Sequence, residues 1–351
     1  MPSQDISSSL QAQVQAAIKS RIAVRIVGGG TKKFAQGNSA DPGLETSGHS
    51  GIAHYDPTEL VLTARTGTLL SEVEAVLMSE GQILAFEPPA YGKHATLGGT
   101  IACNLSGPRR PYSGAARDYV LGVKLLNGRG DIISFGGEVM KNVAGYDVSR
   151  LMAGALGTLG VLLEVSLKVL PAPKEVLTLK LDLSLTQALS QLTRLAQQYW
   201  PISASCYDGQ QLWLRLEGIS AAVVAAQKQL GGEVHSRENI FWNELKEQRH
   251  PFFADADDLW RVSLPALRVP LEFPGPFLIE WAGSLVWIKN PQPQQNLFEW
   301  AAAHGGHATL YRYPGQWRSA SPKLAEALIK YHKNLKYSFD PVGIFNPELS
   351  Y

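Results

Sequence analysis

Cysteine is scarce in this chain: two among 351 residues, Cys103 and Cys206. An iron–sulfur cluster takes four thiolates, and a structural zinc takes several Cys or His ligands together. Neither is expected within the chain, and two cysteines this far apart read as reduced, packed thiols. An excess of charge of one sign is also missing. Lys plus Arg number 32 and Asp plus Glu 31, so no bulk field draws nucleic acid and no block of like charge forms a basic arm. Long apolar runs are absent too. The most apolar stretch, Leu151 to Leu163, has 13 residues, three of them glycine, which is too short to span a bilayer. Residues 1–20 are polar and rich in Ser and Gln, without the apolar centre of a signal peptide. The expectation is a cytoplasmic protein with no direct membrane insertion.

What is present is ordinary globular composition, 45% hydrophobic and 18% charged, on a length that suggests two domains. The first half alternates helix and strand signals. Leu10, Val14 and Ile18 mark an amphipathic helix, and Ile22–Val27 reads as a strand. Leu60–Arg65 is a second strand, after which Thr68 is expected to N-cap a helix carrying Leu69, Val73, Val76 and Leu77. Ile83–Phe86 reads as a third strand. Tyr119–Leu126 and Asp131–Phe135 flank an Asn127-Gly128 turn signal. Val161–Leu170 is a long strand closed by Pro171-Ala-Pro173, where the domain boundary is placed.

The second half begins again with a strand at Val176–Leu183 and a helix near 185–199. Further strands are expected at Leu212–Leu216, Trp260–Leu264, Phe277–Trp281, Leu285–Lys289 and Ala308–Arg312, with helices near 219–230, 293–303 and 321–336. Strands outnumber helices, which suits an antiparallel sheet with helices on one face. The overall class is α+β.

Three glycine-rich clusters stand in the first half. Gly28-Gly-Gly-Thr31 follows a strand. Thr96-Leu-Gly-Gly-Thr-Ile-Ala-Cys-Asn104 is followed by Gly107-Pro-Arg-Arg110 and Ser113-Gly114. Asn142-Val-Ala-Gly-Tyr-Asp147 is followed by Gly154-Ala-Leu-Gly-Thr-Leu-Gly160. Such loops let successive backbone N–H groups converge on a phosphate without side-chain interference. Each alone is as well read as a tight turn; three in one domain point to a shared large ligand. The Rossmann pattern fails because Lys33 stands where its third glycine belongs. The Walker pattern fails because no glycine–lysine–hydroxyl run exists.

These residues carry a resemblance. Gly28-Gly-Gly-Thr31, Pro88-Pro89, Ala95-Thr-Leu-Gly-Gly99 with Asn104, and Gly157-Thr-Leu-Gly160 look like the FAD-binding domain of vanillyl-alcohol-oxidase-type flavoproteins. Asp340-Pro-Val-Gly-Ile-Phe-Asn-Pro347 is similar to a segment that closes many chains in that family. Val139–Asp147, Gly107-Pro-Arg-Arg-Pro111 and Leu259-Trp-Arg-Val-Ser-Leu-Pro265 resemble the FAD-binding subunits of bacterial glycolate oxidases. The match runs from about residue 10 to 347, denser before 170 than after it.

The resemblance implies a PCMH-type two-subdomain FAD-binding domain over 1–173. A ferredoxin-like α+β cap would occupy 174–351, with its terminal segment returning to the first domain. It implies FAD pyrophosphate at Gly28, Gly29, Gly30 and Thr31. The flavin and ribityl side would lie along 96–104, through Thr96, Leu97, Gly98, Gly99, Ala102 and Asn104. The adenine half would meet the backbone at Gly157, Gly160 and Val161. Pro88, Gly107, Gly114 and Asn346 join the expected cofactor-binding set. Lys32 or Lys33 adds one charge to the phosphates, and Arg109 or Arg110 faces phosphate or a partner, with Arg110 placed in the set. No histidine adjoins the glycine loop and Cys103 is given a packing role, so FAD is expected to be non-covalent.

Oxidation of a 2-hydroxy acid needs a cation for the carboxylate and a base for the hydroxyl proton. His304-Gly-Gly-His307 stands where relatives carry a longer metal-binding motif. Two ligands alone make a weak site, so these are read as loop or packing histidines and no metal is expected. His94 is the one histidine whose position near the Thr96 loop suggests the flavin. No residue is assigned a catalytic role. The expected function is therefore an FAD subunit of a glycolate (2-hydroxy acid) oxidase complex, working beside a catalytic flavin subunit and an iron–sulfur subunit. Membrane association would come only through those partners. A self-sufficient FAD-dependent dehydrogenase is the alternative, and a structural subunit with a vestigial site is a third reading.

Overall fold

The computed structural model describes residues 3–32, 41–137, 147–236, 238–292, 296–313 and 324–349. Lys33, most of the Val139–Asp147 motif and residues 314–323 lie outside the described set. The chain forms two compact units. Met1–Ser106, Ala115–Ala172 and Leu324–Tyr351 make the first; Gly107–Gly114 and Pro173–Lys323 make the second.

The first unit is built on a five-stranded antiparallel sheet in the order Ile52–Asp56, Val61–Arg65, Val161–Lys168, Val120–Leu126, Ile132–Gly136. Its central strand carries Val161 and Leu163, buried in one core, and Val165 and Leu167, buried in another. The helices Leu70–Ser79 and Leu97–Cys103 bury Leu70, Val73, Leu77, Leu97 and Ile101 in one core with Val165 and Leu167. A second, smaller core joins Leu10 and Val14 of the helix Ser7–Ser20 to Leu44, Leu126, Val161, Leu163, Ile344 and Phe345. There the strand Arg25–Val27 pairs in parallel with Gly43–Glu45. The 324–349 segment thus completes the smaller subdomain.

Two local expectations are corrected. Thr68 does not cap the helix that follows; Leu69 holds the cap position without a side-chain bond. The Thr68 hydroxyl instead accepts from Gly51 N at 2.9 Å and donates to Arg65 O at 2.7 Å, pinning a loop. The third strand is only Gln82–Ile83; Leu84, Ala85 and Phe86 turn inward and are buried in the main core.

The second unit carries an eight-stranded antiparallel sheet. Its order is Glu233–His235, Glu175–Leu181, Leu212–Gly218, Ile202–Tyr207, Phe277–Glu280, Leu285–Lys289, Leu259–Ser263, His307–Arg312. The segment 175–235 runs strand, helix, strand, strand, helix, strand, with the last strand beside the first. That is the ferredoxin-like arrangement. The helix Leu185–Leu195 opens with a capping box between Ser184 and Gln187 and buries Ala188, Leu189, Leu192 and Leu195 against the sheet.

Candidate cofactor site

Three segments of the first unit converge on one cleft. The strand Arg25–Val27 runs into Gly28, Gly29, Gly30, Thr31 and Lys32. The helix Leu97–Cys103 and its cap present Thr96, Gly98, Gly99, Ala102 and Cys103. The turn before the central strand presents Ala155, Leu156, Gly157 and Gly160, and Asn346 completes the lining.

The three consecutive glycines are glycine for different reasons. A Cβ on Gly29 would fall 1.5 Å from the backbone oxygen of His94, and one on Gly28 would lie 2.7 Å from Thr96 Oγ1. These two are fixed by the approach of one protein loop to another, which corrects the expectation that a ligand alone keeps side chains out. Gly30 has φ +65°, and a Cβ on it would meet no atom of the described residues within 4 Å, so its freedom serves the turn itself. Among the described residues, the N–H groups of Gly28, Gly29 and Gly30 donate to no acceptor of the chain. These three glycines are half-buried along the cleft, where their N–H groups are open to a ligand. The turn is held from outside by Thr31 Oγ1, which donates to Ala90 O at 2.7 Å.

Two cations border the cleft. Lys32 is 5% exposed, and its ammonium stands 6.0 Å from the Tyr91 ring centroid. Arg25 is half-buried, and its Nε has no hydrogen-bond partner among the described residues. Burial pushes the Cys103 thiol up to about 11, with Lys32 acting in the opposite sense. Cys103 therefore lines the cleft as a neutral thiol at physiological pH rather than as a nucleophile.

Of the expected cofactor residues, Gly28, Gly29, Gly30, Thr31, Lys32, Thr96, Gly98, Gly99, Ala102, Gly157, Gly160 and Asn346 come together on this cleft. Leu97 and Val161 are fully buried core residues and Pro88 is also buried. Asn104 ends the helix with φ +50°, and its Oδ1 accepts from Arg117 N at 3.1 Å. Gly107, Arg110 and Gly114 belong to the second unit, where Arg110 stacks 4.5 Å from the Trp281 ring centroid. His94 lines a neighbouring cavity with Gly28, Gly29, Glu72 and Thr96 rather than this cleft.

Lining residues that sequence reasoning missed include Arg25, Thr46, Thr66, Met152 and Leu156. Arg25 opens the strand that ends in the glycines, and that adjacency is its one local signal. Thr66 arrives through the fold alone, whereas Leu156 sits inside the glycine cluster Gly154–Gly160. The Thr66 hydroxyl donates to Leu162 O at 2.6 Å, while a Cβ on Gly98 would sit 2.7 Å from Thr66 Cβ.

In the second unit, His304 Nδ1 lies 2.7 Å from Trp300 O, and its ring is 4.6 Å from that of Trp300. Among the described residues no group of three His, Cys, Asp or Glu is placed to hold a metal.

A family model described as an FAD binding domain matches residues 7–136. The chain is 46% identical over 99% of its length to glycolate oxidase subunit GlcE of Escherichia coli (strain K12), of which it covers 98%. It belongs to the GlcE family of glycolate oxidase subunits. A narrower likeness, over 36% of this chain, links it to a D-lactate dehydrogenase of Anaerostipes hadrus at 38% identity, covering 26% of that protein. Glycolate oxidase subunit GlcD of Bacillus subtilis (strain 168) is also 38% identical over 36% of this chain and 27% of its own length. Alkyldihydroxyacetonephosphate synthase superposes with a TM-score of 0.69 at 16% identity, covering 97% of this chain and 75% of that one. The fold is therefore PCMH-type, and the cofactor is FAD.

The residues present fit that cofactor. Three N–H donors on half-buried glycines, without an acceptor among the described residues and with Arg25 and Lys32 beside them, suit a dianionic pyrophosphate. The apolar stretch of Met152, Ala155, Leu156 and Leu162 suits a ring system.

Proposed function

We propose that this chain is the FAD-binding subunit of an assembly that oxidises glycolate, or a related 2-hydroxy acid, to the 2-oxo acid. Its kinship over nearly the whole chain with a glycolate oxidase subunit carries this reading. FAD, when bound, supplies the redox chemistry by accepting and passing on the two electrons released per hydroxy acid oxidised. The residues of the chain bind and orient it. Gly28, Gly29 and Gly30 hold the pyrophosphate through their amides, with Thr31 fixing their turn and Lys32 supplying charge. Gly98, Gly99 and Ala102 let the flavin and ribityl side approach the helix backbone, and Leu156, Gly157 and Gly160 face the adenosine half. The bond to FAD is non-covalent, because Cys103 is held as a thiol and the glycine turn continues in sequence as Thr31-Lys32-Lys33, without a histidine.

With two cysteines and no cluster of its own, the chain relies on partners: a catalytic flavin subunit and an iron–sulfur subunit that carries electrons onward. The assembly is cytoplasmic and reaches a membrane, where it does so, through those partners. No described helix is long and apolar enough to cross one.

The test is spectroscopic. The purified chain is expected to show flavin absorbance and to release all its flavin on acid precipitation. Glycolate added without oxygen is expected to bleach it only when the partner subunits are present. A colourless chain, or bleaching by glycolate with no partner, would overturn the reading.

A further inference from the structure

We infer that Lys336 and Asp340, which do not line the cleft, are positioning residues for the adenosine half of FAD. With Asn346 they form a latch on its wall, an inference that rests on the FAD placement proposed above.

The wall is the turn 153–160, which enters the cleft through Ala155, Leu156, Gly157 and Gly160. Its backbone is unusual. Gly154 and Gly157 have φ +89° and +72°, and between them Leu156 has φ +51°, a conformation that a residue with a Cβ adopts only where its surroundings impose it. One side of the turn is fixed by the helix Leu97–Cys103: Gly154 N donates to Ile101 O at 3.1 Å and Leu156 N to Ala102 O at 3.0 Å. The other side is fixed from residues 336–346. Asn346 Nδ2 donates to Leu156 O at 2.7 Å, and Lys336 Nζ donates to Thr158 O at 2.6 Å.

Asn346 joins this wall to the phosphate side. Its Oδ1 accepts from Ile26 N at 2.9 Å, and its own N–H donates to Val24 O at 3.1 Å. The strand leading to the glycine turn and the adenosine wall thus meet at one side chain, itself in a left-handed conformation at φ +41°.

Asn346 is in turn held by a buried charge pair. The Asp340 side chain is 0% exposed and lies 2.7 Å from Lys336 Nζ. Its carboxylate also accepts from Gly343 N at 3.0 Å, Ile344 N at 3.2 Å and Phe345 N at 2.8 Å. Lys336 gives its remaining proton to Phe345 O at 2.7 Å. All three ammonium donors are therefore spent: one on the wall, one on the segment that carries Asn346, and one on the carboxylate that shapes that segment. Burial lowers the Lys336 pKa and Asp340 opposes the shift. Removing Lys336 strands Asp340 as a buried charge, and the wall loses its template.

The consequence is selective. Loosening this wall weakens a ligand that has an adenosine half and spares one that lacks it. FAD and FMN are the probes, titrated against the full chain by flavin fluorescence. Lys336→Met is expected to weaken FAD tenfold or more while FMN affinity changes less than twofold. Unchanged FAD affinity, or equal losses for both flavins, would overturn the inference. A wild-type chain that binds no FAD would instead sink the cofactor placement on which it rests. A second measurement needs no variant. Hydrogen exchange of wild-type chain is expected to slow at least tenfold at the amides of Gly343, Ile344 and Phe345 when FAD binds, and not when FMN binds. Equal exchange rates with and without FAD would refute the latch even if Lys336→Met failed to fold.

Discussion

Gly29 and Gly30 are neighbours in sequence, yet their substitution is expected to fail differently. Alanine at 29 drives a Cβ into the His94 backbone, an overpacking that neither loop can relieve, with an expected cost of at least about 3 kcal/mol. Alanine at 30 meets no described atom within 4 Å and only the penalty of a left-handed φ, about 1–2 kcal/mol. Thermal denaturation of the two FAD-free variants checks the ranking, and a Gly30→Ala chain less stable than Gly29→Ala contradicts it. The run of glycines was legible as a site in the sequence; the division of labour within it was not, because His94 reaches Gly29 only through the fold. The same limit applies to His49, which is 1% exposed and accepts from Ile6 N at 3.1 Å through Nδ1. Burial lowers its pKa below the ordinary 6.5; Asp5 and Glu164 act against that shift, Arg65 and Lys124 with it. The folded chain therefore binds fewer protons at this site than the unfolded chain does. Its contribution to stability is intact above pH 6.5 and is lost as pH falls below that value. His49→Asn keeps an acceptor for Ile6 N but has no proton to gain. It is expected to flatten the fall in urea midpoint between pH 7 and 5; an unchanged slope would refute the assignment. His250 and His307, whose pKa values are also lowered by burial, leave a residual slope of the same sign.

Whole elements were legible where one face is apolar and the other is not. The helix Ser7–Ser20 and the strand Val161–Lys168 lie where their patterns place them. The strand Ile202–Tyr207 escapes such a reading because Ser203 and Ser205, 6% and 1% exposed, alternate with apolar residues that are also buried. Their hydroxyls are matched by partners no local pattern reveals. Arg215 Nε donates to Ser203 at 2.8 Å, and Ala282 N donates to Ser205 at 3.0 Å. The short helix Leu97–Cys103 escapes for another reason: two glycines near its start disfavour helix. Thr96 compensates by capping it, its hydroxyl accepting from Gly99 N at 3.3 Å. Thr96→Val is expected to cost about 1 kcal/mol of stability. Thr96 also borders the cleft, so FAD affinity should fall with the cap. Calorimetry and flavin titration of the variant check the two effects, and a variant with wild-type stability would remove the cap from the account.

At the scale of the whole molecule, residues 324–349 belong to the first unit although 151 residues, Pro173–Lys323, separate them from the rest of it. No periodicity announces this return; only the likeness of Asp340–Pro347 to a family segment does. The physical reason is that the smaller core of the first unit is unfinished without Ile344 and Phe345. Phe345 is 0% exposed among Leu10, Val14, Leu44, Val161 and Leu163. The backbone continues the parallel pairing there, with Val24 N donating to Ile344 O at 2.8 Å. A large buried aromatic lost from such a core costs about 3–5 kcal/mol, a substantial part of the 5–15 kcal/mol that typically holds a domain together. Phe345→Ala also leaves Asn346 without the packed neighbour that fixes its backbone. Its urea midpoint, followed by release of flavin fluorescence, is therefore expected to drop by at least about 1 M if the first unit loses 3 kcal/mol at an ordinary urea dependence. By contrast, Tyr331→Ala removes an aromatic that is 71% exposed on the helix Glu326–Phe339 of the same segment, and should leave that midpoint in place. Equal midpoints for Phe345→Ala and wild type would mean that the first unit closes its core without this segment.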